Sequence, residues 1–95
     1  MLPVMKSPDD SLETTRKRLM FRSWHRGTRE MDLLLGRFAE RNLPTFSARQ
    51  VELYEALLEY GDNDLYGWMT GRERPPATLD HDVMNLLVNF KFIAQ

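Results

Sequence analysis

The sequence predicts an all-α fold, a compact five-helix bundle in a single domain. Three observations lead there. Apolar residues recur at three- and four-residue steps, as in Met31, Leu34, Leu35 and Phe38, which is the helical period. No segment sustains the alternation of apolar and polar residues that marks a half-buried strand. Glycine, proline and capping residues cut the 95-residue chain into short segments joined by short loops, and a chain of that length has room for one domain.

Residues 1–7 read as a flexible N-terminal tail, and residues 8–95 as the helical domain. Ser7-Pro8 reads as a cap followed by proline at the first helical position, where its missing N–H costs nothing; Asp9 and Asp10 then favour the positive end of the helix. The first helix runs to about His25 on a stripe of Leu12, Leu19 or Met20, and Trp24, with Arg16, Lys17, Arg18 and Arg22 mostly on other faces. Gly27 ends it, because glycine tolerates the left-handed backbone of a helix stop. The second helix spans about Arg29 to Arg41. Gly36 inside it costs about 1 kcal/mol relative to alanine, which predicts the close approach of another backbone. Asn42-Leu43-Pro44 terminates it.

The third helix has the strongest start signal in the chain. Ser47 and Gln50 form a capping box, with Phe46 and Val51 placed as a hydrophobic staple around it. Val51, Tyr54, Leu57 and Leu58 make its buried stripe, and Gly61 closes it. Asp62 caps a short fourth helix in which Leu65, Trp68 and Met69 pack, and Gly71 ends it. After a rigid loop at Pro75-Pro76, Thr78 caps the fifth helix, with Asp80 and Asp82 near its positive end and Leu79, Val83, Leu86, Leu87 and Phe90 on its apolar face. His81 has no assigned role and is expected at the surface. The expected core includes Leu34, Phe38, Tyr54, Leu57, Leu87 and Phe90, with Met20, Met31, Met69 and Met84 as fillers.

Composition removes several function classes. The chain has no cysteine, which excludes disulfides, thiolate metal sites and thiol nucleophiles. His25 and His81 make no metal-ligand spacing. Thirteen Lys and Arg against fourteen Asp and Glu give a net charge of -1, without the basic excess of a general polyanion binder. No apolar run reaches the length of a membrane span. Charge is uneven along the chain: residues 1–30 carry +3 and residues 31–95 carry -4, so a basic end that steers an acidic partner is expected. The N-terminus is neither a signal peptide nor an Arg-rich transit peptide, and the expected setting is a bacterial cytoplasm rather than the mitochondrial matrix.

The segment from Arg22 to Glu30 stands out. It gathers three arginines, His25 and Glu30 around Gly27. Arginine forks bind carboxylates and phosphates in bidentate fashion, and a glycine at a helix junction lets a partner's backbone come close. The same residues also admit plain structural roles, with Gly27 a helix stop, Glu30 a favourable first-turn acid and Arg26 a solvated neighbour. From chemistry alone, three classes compete. A helix-turn-helix DNA binder would have to present Arg29–Arg41 to the groove, and that helix is too apolar. A small enzyme would need an acid–base pair, and Glu30, His25 and His81 make none on one helical face. A protein-interaction module, such as an antitoxin or adaptor, fits a small bundle with a charged corner.

Arg26-Gly27-Thr28-Arg29-Glu30 matches the R-G-x-x-E motif of the SdhE-type FAD assembly factors, also called succinate dehydrogenase assembly factor 2. The similarity runs from about Arg18 to Phe92. It takes in Met31-Asp32-Leu33-Leu34-Leu35-Gly36, Leu53-Tyr54-Glu55 and Leu57-Leu58, while Asn63-Asp64-Leu65-Tyr66-Gly67-Trp68 looks like the family's Asp-(Leu/Ile)-x-x-Trp element. His25 departs from it, because many members carry a second arginine there. The resemblance implies a five-helix bundle that binds the flavoprotein subunit of succinate dehydrogenase, with fumarate reductase a second candidate, and promotes covalent attachment of FAD to a histidine of that partner. It implies no catalytic residue, no tightly bound cofactor, no nucleic acid and no membrane insertion. The partner-binding residues it implies are Arg26, Gly27 and Glu30, with His25 and Arg29 beside them and Tyr66 and Trp68 adding apolar contact.

Overall fold

The structure, a computed structural model, describes residues 8–91, with side chains described from Leu12 onward. Five α-helices account for most of it: α1 (Pro8–Trp24), α2 (Arg29–Asn42), α3 (Ala48–Leu57), α4 (Asp62–Met69) and α5 (Asp82–Val88). Short 3-10 turns occupy Leu43–Thr45 and Ala77–Leu79, and no strand occurs among the described residues. The sequence reading of an all-α five-helix bundle therefore holds. The expected Ser7 cap and the tail lie outside the described residues.

α1 packs along α2 and α3, α3 meets α5, and α5 meets α4. The stripes predicted from sequence face inward where these helices meet. Leu19 comes from α1, Met31, Leu35 and Phe38 from α2, Val51, Tyr54 and Leu57 from α3, Leu65, Trp68 and Met69 from α4, and Val83, Met84 and Leu87 from α5. Phe38 is central, with its ring centroid 5.4 Å from Tyr54, 5.5 Å from Phe90 and 6.3 Å from Phe46. Leu34 and Phe90 sit at the edge of this core rather than inside it. The capping box is complete: Ser47 accepts from the Gln50 backbone N–H, and the Gln50 side chain accepts from the Ser47 N–H. Phe46 and Val51 are both buried across it, as a hydrophobic staple requires.

Some local readings need correction. Gly36 faces not a backbone but the indole of Trp24, and a Cβ built there would stand 2.2 Å from a ring atom. Gly61 has an ordinary negative φ and serves as the cap residue of α4, so Asp62 is the first residue of that helix rather than its cap. Thr78 lies in a 3-10 turn, and His81 caps α5 instead, with its Nδ1 accepting from the Met84 N–H at 3.1 Å. A ring nitrogen can take the place of a Ser or Asp oxygen there because the cap needs only a lone pair. Leu86 is 41% exposed: α5 is only seven residues long and its inward face is filled by Val83, Met84 and Leu87.

Two polar contacts fix the packing. Ser23 and Tyr54 are both fully buried, with their hydroxyl oxygens 2.6 Å apart, and Ser23 also donates to the Leu19 carbonyl at 2.8 Å. Tyr54 must then donate to Ser23, and burial pushes the Tyr54 hydroxyl well above its ordinary pKa. Ser23→Ala leaves that hydroxyl buried without a partner and should cost about 1–3 kcal/mol in chemical denaturation, with part of the loss recovered by adding Tyr54→Phe. A single mutant as stable as wild type would show that water replaces the bond. At the other end of α3, Asp82 accepts from the Gln50 amide at 2.9 Å and from Arg49 at 3.0 Å. Those two neighbours, Gln50 first, hold its carboxyl below the usual range. A depressed carboxyl stabilises the fold above its unfolded pKa and loses that contribution as the pH falls through the depressed value. Replacing Gln50 with leucine should therefore reduce stability at neutral pH and flatten its decline in acid; an unchanged acid titration would remove this link.

Candidate functional site

α1 ends where Trp24 turns its indole onto Gly36 of α2, with the Arg37 guanidinium 5.8 Å over the ring. Four residues then reverse the chain. Gly27 takes φ +117°, a backbone that residues with a Cβ adopt only under strain. Thr28 is the N-cap of α2, with its hydroxyl accepting from the Met31 N–H. Asp32, one turn into α2, closes the corner from below: a single carboxylate oxygen accepts from the backbone N–H groups of Arg26 at 2.6 Å and Gly27 at 3.3 Å. These two bonds brace the corner from within the chain.

Arg26 does not project outward. Its side chain is only 13% exposed, and its guanidinium reaches the turn between α3 and α4. Nε donates to Asp62 at 2.9 Å, Nη1 to the Leu58 carbonyl at 2.9 Å and Nη2 to the Tyr60 carbonyl at 2.9 Å. Those carbonyls lie at the C-terminal end of α3, where helix geometry leaves acceptors open and positive charge is favoured. Arg26 thus clamps the corner to the rest of the bundle, where the sequence reading had its charge meeting a partner. Arg26→Ala should destabilise the fold by about 1.5–3 kcal/mol, since it strands three acceptors, and Arg26→Lys should recover only part because one ammonium cannot span them. Thermal melts of both variants measure this, and a wild-type melt for Arg26→Ala would free the side chain for a role outside the chain.

Glu30 does the opposite. It stands exposed in the first turn of α2, and one carboxylate oxygen accepts from the Tyr66 hydroxyl at 3.2 Å. Tyr66 itself is half-buried against the core, with Arg72 5.5 Å over its ring. It therefore reaches the site by orienting Glu30 as well as by its ring. Trp68 is 4% exposed and packs edge-on against Tyr60 at 5.3 Å, so its indole supports the α3–α4 turn and offers no contact surface to a partner. His25, Gly27 and Arg29 are exposed beside Glu30. A Cβ built on Gly27 would meet nothing within 4 Å, which leaves the surface above the corner open. The structure thus brings His25, Gly27, Arg29, Glu30 and Tyr66 to one outward corner and turns Arg26 and Trp68 inward beneath it.

Asp32 and Asp62 were missed in the sequence reading. Asp62 follows a glycine and imitates a helix cap, yet its spacing carried a signal. Arginines 18, 22 and 26 recur at four-residue steps, and they meet Glu55, Glu59 and Asp62 one after another. This ladder also corrects the expected basic end. Three of the N-terminal arginines are matched by acids of the C-terminal part, and Arg16 donates to the Leu43 and Phe46 carbonyls. The charge asymmetry of the chain is largely spent inside the fold. The apolar face of α2 is buried as well, which withdraws it from the groove-reading role considered above. Among the described residues, no cluster of His, Asp and Glu could hold a metal ion, and no helix is long and apolar enough to cross a membrane.

The described residues thus form a small helical bundle with an open, charged corner above a clamped base. Residues 17–91 match the Sdh5 family, described as the flavinator of succinate dehydrogenase, and the chain belongs to that family. It is 44% identical over 84 residues to succinate dehydrogenase assembly factor 2-B, mitochondrial, of Drosophila mojavensis, covering 86% of this chain and 54% of the relative. It is 40% identical over 82 residues to assembly factor 2-A, mitochondrial, of Drosophila yakuba, covering 84% of this chain and 51% of the relative. The chain spans about half the length of the curated relatives it matches. Their names correct the expected bacterial cytoplasm, because they are mitochondrial proteins. The composition of the N-terminal residues was too slight a basis for assigning a compartment.

Proposed function

We propose that this protein is an assembly factor that docks its Gly27–Glu30 corner on the flavoprotein subunit of succinate dehydrogenase and promotes covalent attachment of FAD to that subunit. The observation that carries the reading is the family match over residues 17–91, which contains the Arg26–Glu30 motif, together with the open, exposed placement of Gly27 and Glu30. The mitochondrial names of the relatives support a mitochondrial setting for this work.

In this reading the bond forms on the partner, and the chain contributes binding alone. Attachment of the flavin to an acceptor side chain requires the two to be held in attack geometry, and such positioning is worth about 7–11 kcal/mol in favourable intramolecular systems. A binding protein supplies part of it by binding one conformer of its partner better than the others. Gly27 lets the partner's backbone approach, Glu30 meets a cation there, and Arg26 with Asp32 keeps the corner from yielding. Titration of purified apo flavoprotein subunit into this protein, followed calorimetrically, should give saturable one-to-one binding. No heat and no co-elution at tens of micromolar would end the proposal.

A further inference from the structure

α1 presents three stripes to its surroundings. Leu19 and Ser23 turn into the core, and Arg18 and Arg22 reach the acids of α3. The third stripe, Lys17, Phe21 and His25 at four-residue steps, is exposed throughout. Phe21 is 63% exposed, more than Tyr60 or Leu86, although a ring this large would usually be covered. It is nevertheless held in place. Its ring stacks on the His25 imidazole with centroids 3.8 Å apart and planes 14° from parallel, and His25 Nδ1 lies 2.7 Å from the Phe21 carbonyl oxygen. A carbonyl only accepts, so Nδ1 donates to it. Two residues beyond His25 comes the open surface over Gly27, and two further on Arg29, an exposed cation with no ion-pair partner among the described residues.

We infer that the Phe21–His25 stack is a second contact of the docking surface. It seats an apolar side chain of the same flavoprotein subunit, while acidic groups of that subunit meet Lys17 at one end and Arg29 at the other. The inference rests on the proposed function and adds to it a contact outside the Arg26–Glu30 motif. Aromatic side chains are the usual anchors of protein interfaces, and one already fixed by a stack and a hydrogen bond loses little freedom on binding. The flanking charges select the occupant. Two copies of this chain meeting stripe to stripe would bring Lys17 and Arg29 against each other or against themselves, which is like-charge contact in either direction. An acidic-rimmed apolar site on another protein meets no such penalty.

Calorimetric titrations of apo flavoprotein subunit against Phe21→Ala and His25→Ala test this. Phe21→Ala should keep the wild-type melting temperature, because the ring supports no core, and should weaken binding about tenfold or more. His25→Ala takes away the ring that holds Phe21 and should weaken binding as well, by about threefold or more at an unchanged melting temperature, and wild-type affinity in it would count against the stack. Wild-type affinity for Phe21→Ala, with binding still lost in Glu30→Ala, would overturn this inference and leave the docked corner standing. Absence of binding by the wild-type chain would overturn both. A wild-type dimer in sedimentation that Phe21→Ala dissolves would assign the stack to self-association and overturn it as well.

Discussion

Glu30→Ala should fold as the wild type does and lose more than tenfold of its affinity for the flavoprotein subunit. The fold has little to lose. An acid in the first turn of a helix contributes about 0.3–1 kcal/mol, and the hydrogen bond Glu30 accepts from Tyr66 lies at the surface. The interface stands to lose far more. A carboxylate paired with a cation that becomes buried on docking leaves that cation stranded when it is removed, at a cost of about 2–5 kcal/mol, and 1.4 kcal/mol is already one decade of affinity. Glu30→Gln keeps the length of the side chain and an acceptor for Tyr66, so an intermediate loss would assign the remainder to charge. Titration of both variants against the apo subunit measures this, and wild-type affinity in Glu30→Ala would show that the corner does not dock through this residue.

Gly27→Arg should abolish binding, and its comparison with Gly27→Ala separates two effects that one variant would confound. At φ +117° any residue with a Cβ is strained by about 1–3 kcal/mol, whatever its size. Both variants carry that penalty, and neither meets a steric obstacle within the chain, because the space above Gly27 is open. Their melting temperatures should therefore fall together. Only arginine fills the open space into which a partner would come. Docking predicts that Gly27→Ala retains measurable binding in its folded fraction while Gly27→Arg has none. Equal binding by the two variants would reduce Gly27 to a turn residue.

Much of the fold could be read from the chain because it rests on local physics. The capping box at Ser47 and Gln50, the staple of Phe46 and Val51, and the stripes of α2 and α3 are patterns within a few residues, and they appear in the structure as their spacing demanded, save that Leu34 stops at the edge of the core. Readings failed where a residue's partner lies far along the chain. Gly36 is small to admit Trp24, twelve positions before it, and the sequence shows the need for space without showing what fills it. Arg26 and Asp62 are thirty-six residues apart, so a surface arginine and a helix cap were the natural local readings of a buried clamp. Trp68 illustrates the same limit from the other side. Its place in a motif suggested contact, while its indole was needed to fill the space beneath the corner. The motif thus contains both an exposed face, in Gly27 and Glu30, and the inward-facing scaffold beneath it, in Arg26.

If this corner promotes covalent flavinylation, co-expression will show it. An apo flavoprotein subunit of succinate dehydrogenase would be expressed alone, with the wild-type chain, and with Glu30→Ala, and each sample would be denatured and its flavin fluorescence read in the gel. A fluorescent subunit band is expected with the wild-type chain and should be faint or missing in the other two samples. Equal fluorescence in all three would contradict it.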